Sequence, residues 1–277
     1  MKLLASANLD ASEHLARKLA EYVPLTSAEQ RIVRGLAPQA RHIRRREDVI
    51  IEGNKSRAVF LVTEGILMRY RILRDGRRQV VSLIVPGDFA GVPGCFFKGA
   101  LYSIKAVTHS IVAVIPIQDL YGLFASHPRL AAKIFWSFSC DTAIYAEHLV
   151  VVGRRSALER VAHFLLELLT RLQVIGLADQ CSFRLPISQE TIGDALGLSQ
   201  AYVNRVVRQL TDDGLVTFSE HKVTIHDVEV LSTLADFEQG YLKPIPVQQF
   251  VDPVAGDSSA TVGETNSSAA RPREAIN

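Results

Sequence analysis

Apolar and polar positions divide the chain into three regimes. Between about residues 41 and 116, short runs reading VII, AVFLVTE, ILMRYRIL and QVVSLIV are separated by Gly53, Gly65, Gly76 and Gly87, which recur every eleven or twelve residues. Short β-rich runs at even spacing with turn residues between them predict an antiparallel roll or sandwich. Asp75-Gly76 is a hairpin turn, Pro86-Gly87-Asp88 a second breaker, and runs at 103–108 and 111–115 supply two last strands. From His127 to Val152 there is no Gly or Pro after Pro128, and Ala131, Phe135, Phe138, Thr142, Tyr145, Leu149 and Val152 alternate spacings of four and three. That is the seam of a parallel coiled coil, so a homodimer through this helix is expected. Leu130, Ile134 and Ile144 form a second apolar line that can pack on the chain's own strands. Gly153-Arg154-Arg155 is expected to break the helix and act as a hinge. Apolar positions at Leu158, Val161, Ala162, Leu165, Leu168 and Leu169 then restart a helix over 157–172.

The third regime is the most specific. Residues 185–216, LPISQETIGDALGLSQAYVNRVVRQLTDDGLV, read as two short amphipathic helices joined by a Gly-Leu-Ser turn. Ser188 stands where an N-cap belongs, and Glu190 sets negative charge against the positive end of the first helix. Gly197 ends that helix where a left-handed residue is easiest, and Ser199 caps the next. Val203, Val206, Val207 and Leu210 make one buried stripe, which leaves Gln200, Ala201, Asn204, Arg205 and Arg208 on the opposite face. Hydrogen-bonding side chains near the N-terminal end of a second helix suit base edges in a DNA major groove. After Asp213-Gly214, runs at 215–218 and 221–225 read as a two-stranded wing.

Charge and composition narrow the partners. Of 277 residues, 48% are hydrophobic and 22% charged, enough for two globular units with real cores. Net charge is only +2, and residues 153–222 hold eight Lys or Arg against eight Asp or Glu. Affinity for DNA therefore requires cationic groups placed on one face and doubled by dimerisation. The N-terminus lacks the apolar run of a signal peptide and no stretch reaches the length of a membrane span, so a cytoplasmic protein without membrane contact is expected. Cys95, Cys140 and Cys181 lie more than forty residues apart, a spacing that suits buried thiols rather than a metal ribbon or cluster. No Ser-His-Asp set, phosphate loop or paired acids stand out, so neither an enzyme nor a cofactor is expected. Residues beyond Phe237 turn rich in Pro, Ser, Ala, Thr and Gly, the composition of a flexible tail.

Three segments carry a resemblance: PGDFAG at 86–91, GRRSALERVAHFLLEL at 153–168, and LPISQETIGDALGLSQAYVNRVVRQL at 185–210. Over about residues 22–237 the chain resembles the Crp/Fnr family of bacterial transcription regulators, in particular an alphaproteobacterial-type branch with a V-N-R core in the recognition helix. The resemblance implies an α+β fold. It comprises an N-terminal antiparallel β-roll like the cyclic-nucleotide-binding jelly roll, a long dimerisation helix and a C-terminal winged helix-turn-helix. The corresponding boundaries are 1–117 for the roll with its N-terminal helices, 118–152 for the connecting and dimer helices, 153–239 for the DNA-binding unit and 240–277 for the tail.

Arg205 matches the family's guanine-reading arginine, whose fork can bond O6 and N7 together. The family's usual glutamate falls on Ala201, so that acceptor is missing, and Gln200 and Asn204 remain as base-contact candidates. Ser188 and Gln189 match phosphate-contacting positions; Ser199 and Arg208 complete the expected DNA face. In the sensor, Gly87, Asp88, Gly91, Val92, Ala100 and Leu101 mark the pocket region. Val92 stands where cyclic-nucleotide-binding members have glutamate, and Ala100-Leu101 where they have Arg-Ser. A cyclic phosphate would lack its bidentate partner there, so cyclic AMP is not the expected effector. The cysteine cluster of oxygen-sensing members is absent, and His109 reads as a turn or packed residue. Double-stranded DNA and a second copy of the chain are the implied partners. RNA polymerase has no chemical signature here, and the effector stays open. Two other classes compete: a ligand-binding roll whose helix-turn-helix contacts protein, and a cupin-like metalloprotein, for which only His42 and His109 are at hand.

Overall fold

The computed structural model describes residues 12–36 and 40–243. Two helices, α1 (Glu13–Tyr22) and α2 (Ser27–Gly35), precede eight strands: β1 (Ala40–Ile43), β2 (Asp48–Ile50), β3 (Ala58–Glu64), β4 (Leu67–Ile72), β5 (Arg78–Ile84), β6 (Phe89–Ala90), β7 (Ser103–Ala106) and β8 (Ser110–Pro116). They form two four-stranded antiparallel sheets, ordered β1-β8-β3-β6 and β2-β7-β4-β5. Alternation along β3 explains why its run is continuously apolar. Phe60 and Val62 face the space between the sheets, while Val59 and Leu61 face α1 and the helices beyond β8. The four spaced glycines all take positive φ, between 80° and 85°. At Gly65 the need is doubled, because a Cβ would lie 2.4 Å from the His109 carbonyl oxygen.

After β8 come α3 (Ile117–Ser126), α4 (Pro128–Arg154) and α5 (Ala157–Val174). Within the expected Gly153-Arg154-Arg155 break, α4 runs through Gly153 and ends at Arg154 with Arg155 as its C-cap, and Ser156 and Glu159 then form a capping box for α5. Then follow β9 (Ser182–Arg184), α6 (Gln189–Leu196), α7 (Gln200–Asp212), β10 (Val216–Ser219), β11 (Lys222–Ile225) and α8 (Val228–Ala235). The wing is three-stranded, ordered β10-β11-β9, rather than two-stranded. Phe183 pairs with Val223, a long-range partner that three residues of sequence do not advertise. The β10–β11 turn is made by Glu220 and His221, both at positive φ without glycine, whereas Asp213-Gly214 only ends α7.

One apolar cluster runs from Met68, Tyr70, Val80 and Leu83 of the roll, through Leu165, Leu168 and Leu169 of α5, to Val206 and Leu210 of α7. The DNA-binding unit therefore shares its core with the β4–β5 sheet. Residues of the tail from 244 onward lie outside the described residues.

Candidate DNA interface and sensor pocket

The helix-turn-helix is set by local chemistry. The Ser188 hydroxyl accepts from the Thr191 N–H at 3.2 Å, and the Ser199 hydroxyl from the Tyr202 N–H at 3.2 Å. Between them Gly197 takes the left-handed conformation at φ 65°. Gly193, which the sequence pattern did not single out, lets the helices close on each other: a Cβ there would lie 2.5 Å from the Leu198 carbonyl oxygen. Arg160 of α5 donates to the Leu196 carbonyl at 3.0 Å, capping α6 from outside.

Val203, Val206, Val207 and Leu210 are buried, as the stripe predicts. Ser188, Ser199, Gln200, Ala201, Asn204, Arg205 and Arg208 are exposed and Gln189 half-buried. These five α7 residues form a face with two cations and no acid, and α7 has no acidic residue in its first turn. Its positive dipole end is thus unopposed. The Arg205 guanidinium lies over the Tyr202 ring, 4.1 Å from its centroid. Stacking orders the plane while leaving its N–H edges free for a planar acceptor pair. Tyr202 was not on the expected face; an aromatic residue three before an arginine on one helix was the available signal.

In the expected pocket region Asp88 is engaged by residues outside it. Asp88 is buried, with Lys18 Nζ at 2.5 Å, Arg171 Nη2 at 2.7 Å and the Val85 N–H at 3.0 Å. Burial alone would raise its pKa, but Lys18 and Arg171 outweigh it and hold the carboxyl at about 2. Arg171 continues to Glu167 at 3.2 Å, and Glu167 to His148 Nε2 at 3.0 Å. The network ties α1, the turn after β5, α4 and α5 together and engages both oxygens of Asp88. Gly87 lets the backbone approach His14, and a Cβ on Gly91 would meet Ile50 Cδ1 at 2.6 Å. Val92 packs beside the cluster around Phe89, Ala100 is buried, and Leu101 is 41% exposed.

The residue that sequence reading missed is Arg69 on β4. It is buried, donates to Ser82 Oγ at 3.3 Å and stands 5.2 Å over the Tyr145 ring of α4. Between Arg69, Gly91, Ala100, Leu101 and Tyr102 the free space is about 20 Å³. That holds one water, whereas small-molecule pockets run to about 300 Å³ or more. An arginine at a buried position of an alternating strand was the signal, hidden inside the ILMRYRIL run.

Along α4 the residues of the expected seam differ in exposure. Phe135, Thr142 and Leu149 are exposed, Phe135 at 69% and Leu149 at 77%. Phe138, Tyr145 and Val152 turn inward instead. Phe138 meets Phe89 edge-on at 5.3 Å, Tyr145 lies under Arg69, and Val152 is half-buried close to Gly197. Ala132, Phe135, Ser139, Thr142, Ala146, Leu149 and Gly153 form the exposed line, still alternating three and four. Leu130, Ile134 and Ile144 are buried against the chain's own core, as the second apolar line predicts.

His42 and His109 come together, ring centroids 6.0 Å apart, but among the described residues no three His, Cys, Asp or Glu gather as a metal site. All three cysteines are free and half-buried; burial pushes the Cys140 thiol up to about 11. Among the described residues no helix is long and apolar enough to cross a membrane.

Residues 159–234 match the Crp-like helix-turn-helix domain family, and residues 40–127 the cyclic nucleotide-binding domain family. The nitrogen fixation regulation protein FixK of Rhizobium meliloti is 32% identical over 192 residues, covering 68% of this chain and 83% of the relative. The transcriptional activator protein anr of Pseudomonas aeruginosa is 27% identical over 200 residues, covering 72% and 82%. The solved structure of FixK2 from Bradyrhizobium japonicum superposes with a TM-score of 0.63 at 28% identity, covering 71% of this chain and 96% of that one. The chain belongs to the Crp/Fnr family of DNA-binding transcription regulators.

Proposed function

We propose that the protein works in the cytoplasm as a homodimer, without enzymatic activity, placing two α7 helices in successive major grooves of a near-palindromic site. The observation that carries this reading is the pairing of a solvent-facing Arg205 surface with an exposed three-four line on α4. Ser188 and Gln189 sit at the phosphate, Arg205 reads a guanine, and Gln200 and Asn204 read neighbouring bases in place of the acid replaced by Ala201. The roll takes no cyclic nucleotide, a reading supported by the occupied Asp88 and by Arg69 filling the space between the sheets. RNA polymerase is the further partner of a regulator of this kind.

Selection of bound duplexes from random DNA, with and without cyclic AMP, tests the whole reading. The expected result is a two-half-site sequence enriched identically in both conditions. Replacing Arg205→Ala is expected to cost about 1–3 kcal/mol at each half-site guanine and to relax preference there. An Arg205→Ala protein with unchanged discrimination would assign the helix-turn-helix to protein contact instead.

A further inference from the structure

The outer end of the β4–β5 hairpin, residues 71–78, carries four arginines, Arg71, Arg74, Arg77 and Arg78, around a single acid, Asp75. It is bolted to the helix-turn-helix. Arg78 Nε and Nη2 reach Asp194 Oδ2 of α6 at 2.7 and 2.5 Å, Nη2 lies 3.7 Å from Glu190, and Gln79 donates to the Ala195 carbonyl at 3.2 Å. An open groove of about 340 Å³ separates the hairpin from the turn, lined by Leu73, Arg77, Arg78, Gly197, Leu198 and Ser199 among others. Ser199 is the N-cap of the recognition helix. The roll thereby brings a cationic loop beside the end of α7 that enters the DNA.

Each arginine has a different standing. Arg71 is paired with Glu52 at 2.8 Å. Arg78 pairs with Asp194 and lies near Glu190, offsetting one of the two negative charges on α6 that would otherwise repel the DNA backbone. Arg77 folds onto Asp75 at 2.7 Å, but both side chains are at least half-exposed, so the pair is readily exchanged for another anion. Arg74 is exposed and makes no ion pair among the described residues. Residues 153–239 of the DNA-binding unit hold eight Lys or Arg against twelve Asp or Glu, so cations from outside it matter to its affinity.

From this placement we infer that the β4–β5 hairpin is a second DNA contact: Arg74 and Arg77 bind backbone phosphates flanking each half-site, and Arg78 offsets part of the acidity of α6 so that they can approach. The inference rests on α7 binding DNA as above. The contact is sequence-independent, since phosphates carry no base identity.

The test compares full-length protein with Arg74→Ala/Arg77→Ala and Arg74→Lys/Arg77→Lys double variants. Fluorescence anisotropy is read on the selected site and on a random duplex across a salt series. The alanine variant is expected to lose the same factor on both duplexes. Its slope of log K against log salt should fall by up to about 3.6 per dimer, at about 0.9 per phosphate, and the lysine variant should keep the slope. An unchanged slope in the alanine variant overturns the inference and leaves the basic loop to an acidic protein surface. Loss of affinity on the selected site alone also overturns it. Wild-type protein that binds both duplexes equally would refute base reading by α7, while the slope difference still decides the hairpin's role.

Discussion

Leu149→Ala separates the two possible registers of the α4 seam when paired with Phe138→Ala. Leu149 is 77% exposed on one chain, so that share of the side chain becomes buried only if a partner helix covers it. Burying a leucine fully is worth about 2 kcal/mol, and the same residue counts once from each protomer, giving about 3 kcal/mol for the dimer. The dissociation constant should then rise about a hundredfold, read by sedimentation equilibrium or a dilution series. Phe138 sits against Phe89 inside its own chain, 5.3 Å between centroids. Its truncation should cost about 2–4 kcal/mol of folding stability and leave the dimer constant alone. A dimer constant raised by Phe138→Ala as well as by Leu149→Ala would restore the expected seam and refute the argument from exposure.

Acid should loosen the link between roll and DNA-binding unit. Asp88 has its pKa depressed from 3.8 to about 2, so the stability it contributes is present above about pH 4 and lost as pH falls through 2. That contribution is on the order of 2–3 kcal/mol. Asp88→Asn should flatten this part of the pH profile in urea unfolding, and should cost about 3–5 kcal/mol at neutral pH by leaving Lys18 and Arg171 short of a partner; a variant as acid-labile as wild type would contradict the assignment. At the glycines, Gly65→Ala should cost more than about 3 kcal/mol because its Cβ meets backbone, whereas Gly76→Ala, at φ 85° in open space, should cost only about 1 kcal/mol. Thermal unfolding of the pair checks both, and equal losses would mean that φ alone sets the cost.

Elements whose signal is local could be read directly. The glycine spacing marked turns because each needs positive φ, a property of one residue. Ser188, Gly197 and Ser199 bounded α6 and α7 because caps act within three or four residues. The buried stripe of α7 and its exposed opposite face followed from helical period, and with them the candidate DNA surface around Arg205.

Other features depended on what lies across a packing interface. Heptad spacing is satisfied by Phe135, Thr142 and Leu149 together with either Phe138, Tyr145 and Val152 or their neighbours one position on; Phe89 and Arg69, distant in sequence, engage Phe138 and Tyr145 and leave the second line the more exposed. The third wing strand needed Val223 opposite Phe183. Asp88 could be recognised as part of a family motif, but its engagement with Lys18 and Arg171, seventy and eighty-three residues away, is a property of the assembled fold. So are Arg69 between the sheets and Arg78 on α6. The chain's order of apolar, polar and glycine positions thus determined the elements, their faces and the candidate DNA surface. Tertiary structure decided which face of α4 remains open, how the sensor space is filled and where the basic hairpin lands, because burial and charge pairing depend on neighbours that sequence distance does not reveal.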